Sequence, residues 1–96
     1  MMVKICGITN LEDALAAIEG GAQALGFNFW PGSSRYVTPN AARELIAKLP
    51  AGVWKVGVFV NESAERIDQS VRQAGLTAVQ LCGKESAANY LRELVG

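Results

Sequence analysis

Histidine is absent from this chain. The commonest general base and the commonest metal ligand are therefore missing, and acid–base chemistry falls to Cys, Asp, Glu or Lys. Net charge is absent as well, because nine basic and nine acidic side chains cancel. That removes the electrostatic case for nucleic acid or an anionic membrane surface as a partner. No apolar run approaches membrane-spanning length, and no basic-then-apolar leader precedes the first apolar segment. Cysteine is scarce: Cys6 and Cys82 lie far apart and form no C-x-x-C. They read as reduced thiols of a cytoplasmic protein. No metal or cofactor is expected. Half of the 96 residues are hydrophobic, a composition that fits one domain at most, spanning residues 1–96.

What is present is organised around Val3-Lys4-Ile5-Cys6-Gly7-Ile8-Thr9-Asn10. A short apolar strand ends in a cysteine, a glycine turn follows, and Asn10 is placed to cap a helix. Cys6 thus falls at the end of a strand, the edge where α/β proteins bind ligands. A small buried hydrophobe is the equally available reading of a free cysteine.

From Asn10 the chain alternates. Leu11, Ala14, Leu15 and Ile18 follow helical spacing, and Gly20-Gly21 stops that helix. Ala24 to Phe29 is a second strand, and Trp30 to Val37 a turn-rich loop carrying Arg35. Thr38-Pro39 opens a second helix with Ala42, Leu45, Ile46 and Leu49 on one face, closed by Pro50. Trp54 to Val60 is a third strand. Asn61 is the expected cap of a third helix carrying Ala64, Ile67, Val71 and Ala74, closed by Gly75. Ala78 to Leu81 is a fourth strand, and Ser86 the expected cap of a fourth helix with Ala87, Tyr90, Leu91 and Leu94.

Four strand–helix units with short connections predict a parallel sheet with right-handed crossovers. Strand parity gives one apolar set: Val3, Ile5, Leu25, Phe27, Phe29, Val56, Val58, Val60, Val79 and Leu81. The other set, Lys4, Cys6, Gly26, Asn28, Lys55, Gly57, Phe59, Gln80 and Cys82, is mixed and polar. A doubly wound, flavodoxin-like sheet needs two apolar faces. One apolar face predicts instead a curved α/β sheet with helices outside and a lumen inside. That is the first four βα units, a half-barrel, of a (β/α)8 TIM-barrel type. Two free edge strands, the first and the fourth, are expected beside a lumen exposing Ile8 and Phe59.

The runs Lys4-Ile5-Cys6-Gly7-Ile8-Thr9, Gly26-Phe27-Asn28-Phe29, Pro31-Gly32-Ser33-Ser34-Arg35-Tyr36-Val37, Val56-Gly57-Val58-Phe59-Val60-Asn61 and Val79-Gln80-Leu81 closely resemble the phosphoribosylanthranilate isomerase family of tryptophan biosynthesis. The resemblance covers the first half of that family's barrel. It implies an isomerase that carries out an Amadori rearrangement. N-(5-phosphoribosyl)anthranilate becomes 1-(2-carboxyphenylamino)-1-deoxyribulose 5-phosphate. By the resemblance, Cys6 is the general base that removes the sugar C2 proton, and Arg35 holds the anthranilate carboxylate. The family's general acid, an aspartate of the fifth unit, and its phosphate clamp in units seven and eight have no counterpart here. Cys82 stands where the family usually has histidine. A phosphorylated sugar–anthranilate is the implied substrate. The isolated chain is expected to be inactive.

Lys4 shares the lumen side with Cys6. Two readings are open: it supports the thiolate electrostatically, or it pairs with a carboxylate from outside the chain. Gln80 and Cys82 are further candidates for support, Cys82 also reading as a packed strand-end thiol. Gly32-Ser33-Ser34 offers weak anion donors without a phosphate-loop frame. A second reading makes the chain a non-catalytic assembly module that pairs with itself or with a complementary C-terminal half.

Overall fold

The computed structural model describes the backbone of residues 3–83 and 86–93, with side chains as far as residue 81. The elements are β1 (Lys4–Ile5), α1 (Leu11–Glu19), β2 (Ala24–Asn28), α2 (Pro39–Ile46), β3 (Trp54–Val60), α3 (Ala64–Ala74), β4 (Ala78–Gly83) and β5 (Ser86–Glu93).

Local chemistry sets the helix starts. Asn10 Oδ1 accepts the Asp13 N–H at 2.8 Å, as the sequence predicts. Thr38 Oγ1 accepts the Ala41 N–H at 3.1 Å, with Pro39 in the first helical position. The cap of α3 is not Asn61 but Ser63, whose Oγ accepts the Arg66 N–H at 3.3 Å. Asn61 instead adopts φ 48°, a left-handed turn that asparagine tolerates, and it swings the chain from β3 toward α3. Gly75 closes α3 in the left-handed conformation at φ 81°.

The four strands β1 to β4 are parallel and lie in sequence order, as expected of a half-barrel. Residues paired across a sheet share a face, so the register decides which side chains meet the helices. Phe27 pairs with Gly57 and Gly57 with Val79. The helix-facing side is therefore Leu25, Phe27, Gly57, Phe59, Val79 and Leu81. Most of these enter one core with Ala14 of α1, Ala42 and Leu45 of α2, and Ala74 and Leu76 at the end of α3. Phe27 is fully buried, a contribution of about 1.5–3 kcal/mol. Phe29 and Phe59 stack with centroids 5.3 Å apart.

This register corrects the expected parity of β3. Val56, Val58 and Val60 belong to the concave side, and Gly57 and Phe59 to the helix side. The physical reason lies at Gly57. A Cβ there would stand 2.5 Å from Leu76 Cδ1 and 2.9 Å from Phe59 Cε2. The glycine is the space into which the helix-side core packs. Phe59 and Ile8, expected in the exposed lumen, are both buried in that core.

The concave side carries Lys4, Ala24, Gly26, Asn28, Trp54, Val56, Val58, Ala78 and Gln80. Ala24, Val56 and Ala78 are fully buried there with Trp54 packed against them. Lys4 Nζ donates to Gln80 Oε1. In a flat sheet β1 and β4 would stand about 14 Å apart, beyond the combined reach of the two side chains. The contact closes because the sheet curls, which gives the concave face its lumen.

The expected fourth helix is absent from the described residues. Ser86–Glu93 forms β5, antiparallel to β4 with Ala78 facing Glu93 and Gly83 facing Ser86. An unpaired strand edge presents a row of hydrogen-bonding groups, and the following segment satisfies them. The outer strands are therefore β1 and β5, not β1 and β4. At β1 the apolar side chains Val3 and Ile5 remain exposed, as does Leu15 on α1. Among the described residues, no helix is long and apolar enough to cross a membrane.

Candidate active site

Cys6 is the first residue past β1, and its thiol is free and exposed. The buried-hydrophobe reading does not hold. Gly7 follows with φ 82°, a turn that disfavours a side chain. The turn is clasped to β2, since the Gly7 and Ile8 N–H groups both donate to the Gly26 carbonyl at 3.0 Å. Cys6 itself lies over Gly26. A Cβ on Gly26 would be 3.0 Å from Cys6 Sγ and 3.2 Å from Cys6 Cα.

The loop after β2 brings Arg35 to the same turn. Asn28 anchors it at both ends: its Oδ1 accepts the Trp30 N–H at 2.9 Å and its carbonyl accepts the Val37 N–H at 2.9 Å. Within the loop, the Ser33 N–H donates to the Trp30 carbonyl at 3.0 Å, and Ser33 Oγ accepts the Arg35 N–H at 3.0 Å. The expected backbone donor of Ser33 is thus occupied. Arg35 Nη1 donates to the Gly7 carbonyl at 3.2 Å, and its stem lies against Gly7. That bond uses one of five guanidinium N–H groups and leaves a fork able to grip a carboxylate.

The structure therefore joins Cys6 and Arg35 at one turn, on the C-terminal rim of a curved parallel sheet, where barrel enzymes keep their chemistry. Lys4 and Gln80 bond to each other lower on the concave face. Among the described residues Lys4 has no carboxylate partner. Cys82 pairs through its backbone with Val60, and its side chain lies outside the described residues. An open cavity of about 220 Å³, lined by Phe29, Pro31, Tyr36, Phe59, Glu62 and Arg66, lies on the opposite, helix-facing side of the Arg35 loop. Sequence reasoning missed Gly26 and Asn28 as parts of this rim. Their signal was a glycine and an amide inside an apolar strand.

Comparison with known proteins bears on the family and the fold. The family model for N-(5'phosphoribosyl)anthranilate (PRA) isomerase matches residues 3–95. The enzyme of that name from Thermotoga neapolitana is 60% identical over 84 residues, covering 88% of this chain and 41% of the relative. A phosphoribosyl anthranilate isomerase solved in complex with reduced 1-(o-carboxyphenylamino)-1-deoxyribulose 5-phosphate superposes with TM-score 0.86 at 53% identity. The match covers 90% of this chain and 44% of that one. The structure of mutually generated monomers of the dimeric enzyme from Thermotoga maritima gives TM-score 0.82 at 53% identity, covering 86% and 42%. The chain thus spans well under half the length of the relatives it matches.

Proposed function

We propose that this chain, which belongs to the N-(5'-phosphoribosyl)anthranilate isomerase family of tryptophan biosynthesis, supplies the proton-abstracting half of that enzyme's active site. The observation that carries the reading is the shared turn: an exposed thiol at Cys6, seated over Gly26, and the guanidinium of Arg35, held to the adjacent Gly7. The substrate is N-(5-phosphoribosyl)anthranilate. Arg35 grips the anthranilate carboxylate, and this fixes the ribose chain over the rim. The bond from C1 to the ring oxygen breaks as that oxygen takes a proton from the general acid outside this chain, which leaves the protonated imine, and Cys6 Sγ, as thiolate, then removes the proton from sugar C2. The electron pair forms C1=C2 as the C1=N π pair returns to nitrogen, and the resulting enolamine tautomerises to the aminoketose as C1 gains a proton and the C2 hydroxyl loses one. A related enzyme binds the reduced form of that product.

The general acid and phosphate site belong, in this proposal, to sequence equivalent to the remainder of the relatives. Residues 1–96 are then part of one barrel domain, and a reduced catalytic thiol fits a cytoplasmic setting. The Lys4–Gln80 bond braces β1 against β4 beneath Cys6. Cys82 occupies the register position two residues beyond Gln80, and we assign it a supporting position at the rim.

The test joins this chain to the C-terminal remainder of the Thermotoga neapolitana enzyme and measures isomerisation. Cys6→Ser should lower turnover by several orders of magnitude while circular dichroism stays unchanged, since a hydroxyl is a far poorer base than a thiolate. Turnover near the unsubstituted level would overturn the assignment.

A second reading, assembly without catalysis, is favoured by one observation. Val3 and Ile5 are exposed at the outer strand β1, and Leu15 is exposed on the helix that follows it, features suited to a partner strand and helix. In that reading the chain pairs with itself or with a complementary half.

A further inference from the structure

We infer that Gly26 is a positioning residue for the Cys6 thiol, and that no larger residue is compatible with a productive site. The inference rests on Cys6 acting as the base; of its tests the turnover measurement shares that premise, and the alkylation and unfolding measurements do not. Two independent contacts converge on Gly26. Its missing side chain is the space the thiol occupies: an added Cβ would meet Cys6 Sγ at 3.0 Å, Cα at 3.2 Å and Cβ at 3.4 Å. Its carbonyl is the shared acceptor of the Gly7 and Ile8 N–H groups, both at 3.0 Å.

These contacts act on different atoms of the same turn. The carbonyl holds the backbone that follows Cys6, and so it also holds the Gly7 carbonyl to which Arg35 donates. The absent Cβ sets how close Cys6 comes to the sheet. The backbone of Gly26 needs no glycine for its own sake, because its φ lies outside the left-handed region occupied by Gly7, Gly21, Gly52 and Gly75. Close approach of a neighbour is then the reason for glycine at this position. The clasp has a chemical corollary. The Gly7 and Ile8 N–H groups are occupied, so this turn offers neither as an anion donor, and the carboxylate falls to Arg35.

Gly26→Ala keeps the carbonyl and fills the space. The added methyl pushes the thiol off the sheet and turns it outward. Alkylation of Cys6 by iodoacetamide, followed by peptide mass spectrometry, should then accelerate by about fivefold or more, the scale set by a small overpacking energy. Alkylation of Cys82 in the same sample should change by less than about twofold, since its strand β4 is separated from β2 by β3. In the joined full-length enzyme, kcat should fall by about tenfold or more with KM changed less than about twofold, because a reacting atom is displaced while binding groups stay.

Denaturant unfolding of Gly26→Ala, Cys6→Ala and the double variant gives the second readout. The alanine at 26 should shift the folding equilibrium by about tenfold with Cys6 present and about threefold or less with Cys6→Ala, because the closest contact is then gone. If Gly26→Ala fails to fold, recovery of folding in the double variant supports the same contact. Equal penalties in both backgrounds, an unchanged Cys6 alkylation rate, or a double variant that stays unfolded would overturn the inference. None of these outcomes depends on whether Cys6 is the catalytic base.

Discussion

Single atoms decide the chemistry at the rim. Arg35 is exposed, and its anchor is one bond of 3.2 Å to the Gly7 carbonyl. Its remaining donors face a ligand in the proposed site, so its contribution belongs to binding and not to folding. Arg35→Ala in the joined enzyme should weaken a product analogue bearing the aromatic carboxylate by about 10- to 100-fold, the worth of a charge-assisted pair of hydrogen bonds. An analogue lacking the carboxylate should bind the substituted and unsubstituted proteins alike. Isothermal titration of both analogues checks this, and equal losses would assign the arginine a structural role. The stability of the chain should fall by no more than about 0.5 kcal/mol, as for an exposed side chain.

Elements were unevenly legible in the sequence. Strand–helix alternation was plain from spacing and punctuation, and two helix caps were visible as Asn10 and Thr38 before an apolar stripe. The face of β3 was not. Its run Trp54-Lys55-Val56-Gly57-Val58-Phe59-Val60 carries apolar residues on both parities, so its orientation is set by register against β2 and not by its own pattern. A valine set resembles a core more than a set holding Lys55 and Gly57, yet a Cβ on Gly57 would stand 2.5 Å from the core side chain of Leu76. The cap of α3 shifted from Asn61 to Ser63 because two capping residues compete there, and the left-handed turn took the asparagine. The segment from Ser86 has helical spacing, but the open edge of β4 recruits its backbone. Cys6 and Arg35 were readable through family motifs; their meeting at Gly7 was not, since the residues are far apart in sequence.

Two predictions test these elements. Gly57→Ala places a Cβ 2.5 Å from Leu76 and 2.9 Å from Phe59, and should destabilise the chain by about 1–3 kcal/mol. Urea unfolding measures it, and a change below about 0.5 kcal/mol would contradict the register of β3. Ser63→Ala removes the side-chain acceptor of the Arg66 N–H and should cost about 1 kcal/mol. Asn61→Ala loses no cap in this account. The left-handed backbone at Asn61 carries a strain that Asn61→Gly should relieve. Loss of helix signal in Asn61→Gly but not in Ser63→Ala would restore Asn61 as the cap.

At the scale of the whole molecule, the sheet runs from β1 at one edge to β5 at the other. Val3 and Ile5 are exposed at the outer strand β1, and Leu15 is exposed on α1, the helix that follows it. Such an edge recruits a strand. Sedimentation equilibrium over a wide concentration range should show association, and Leu15→Lys should shift the chain toward monomer. A monodisperse 10.2 kDa species at every concentration would contradict it. The central claim is that this chain holds one half of a divided active site. Its most direct test is the isomerisation rate of three samples: this chain alone, the C-terminal remainder of the Thermotoga neapolitana enzyme alone, and the two mixed. Turnover is expected in the mixture and none above background in either part. Turnover by this chain alone, or a folded and associated mixture without turnover, would contradict it.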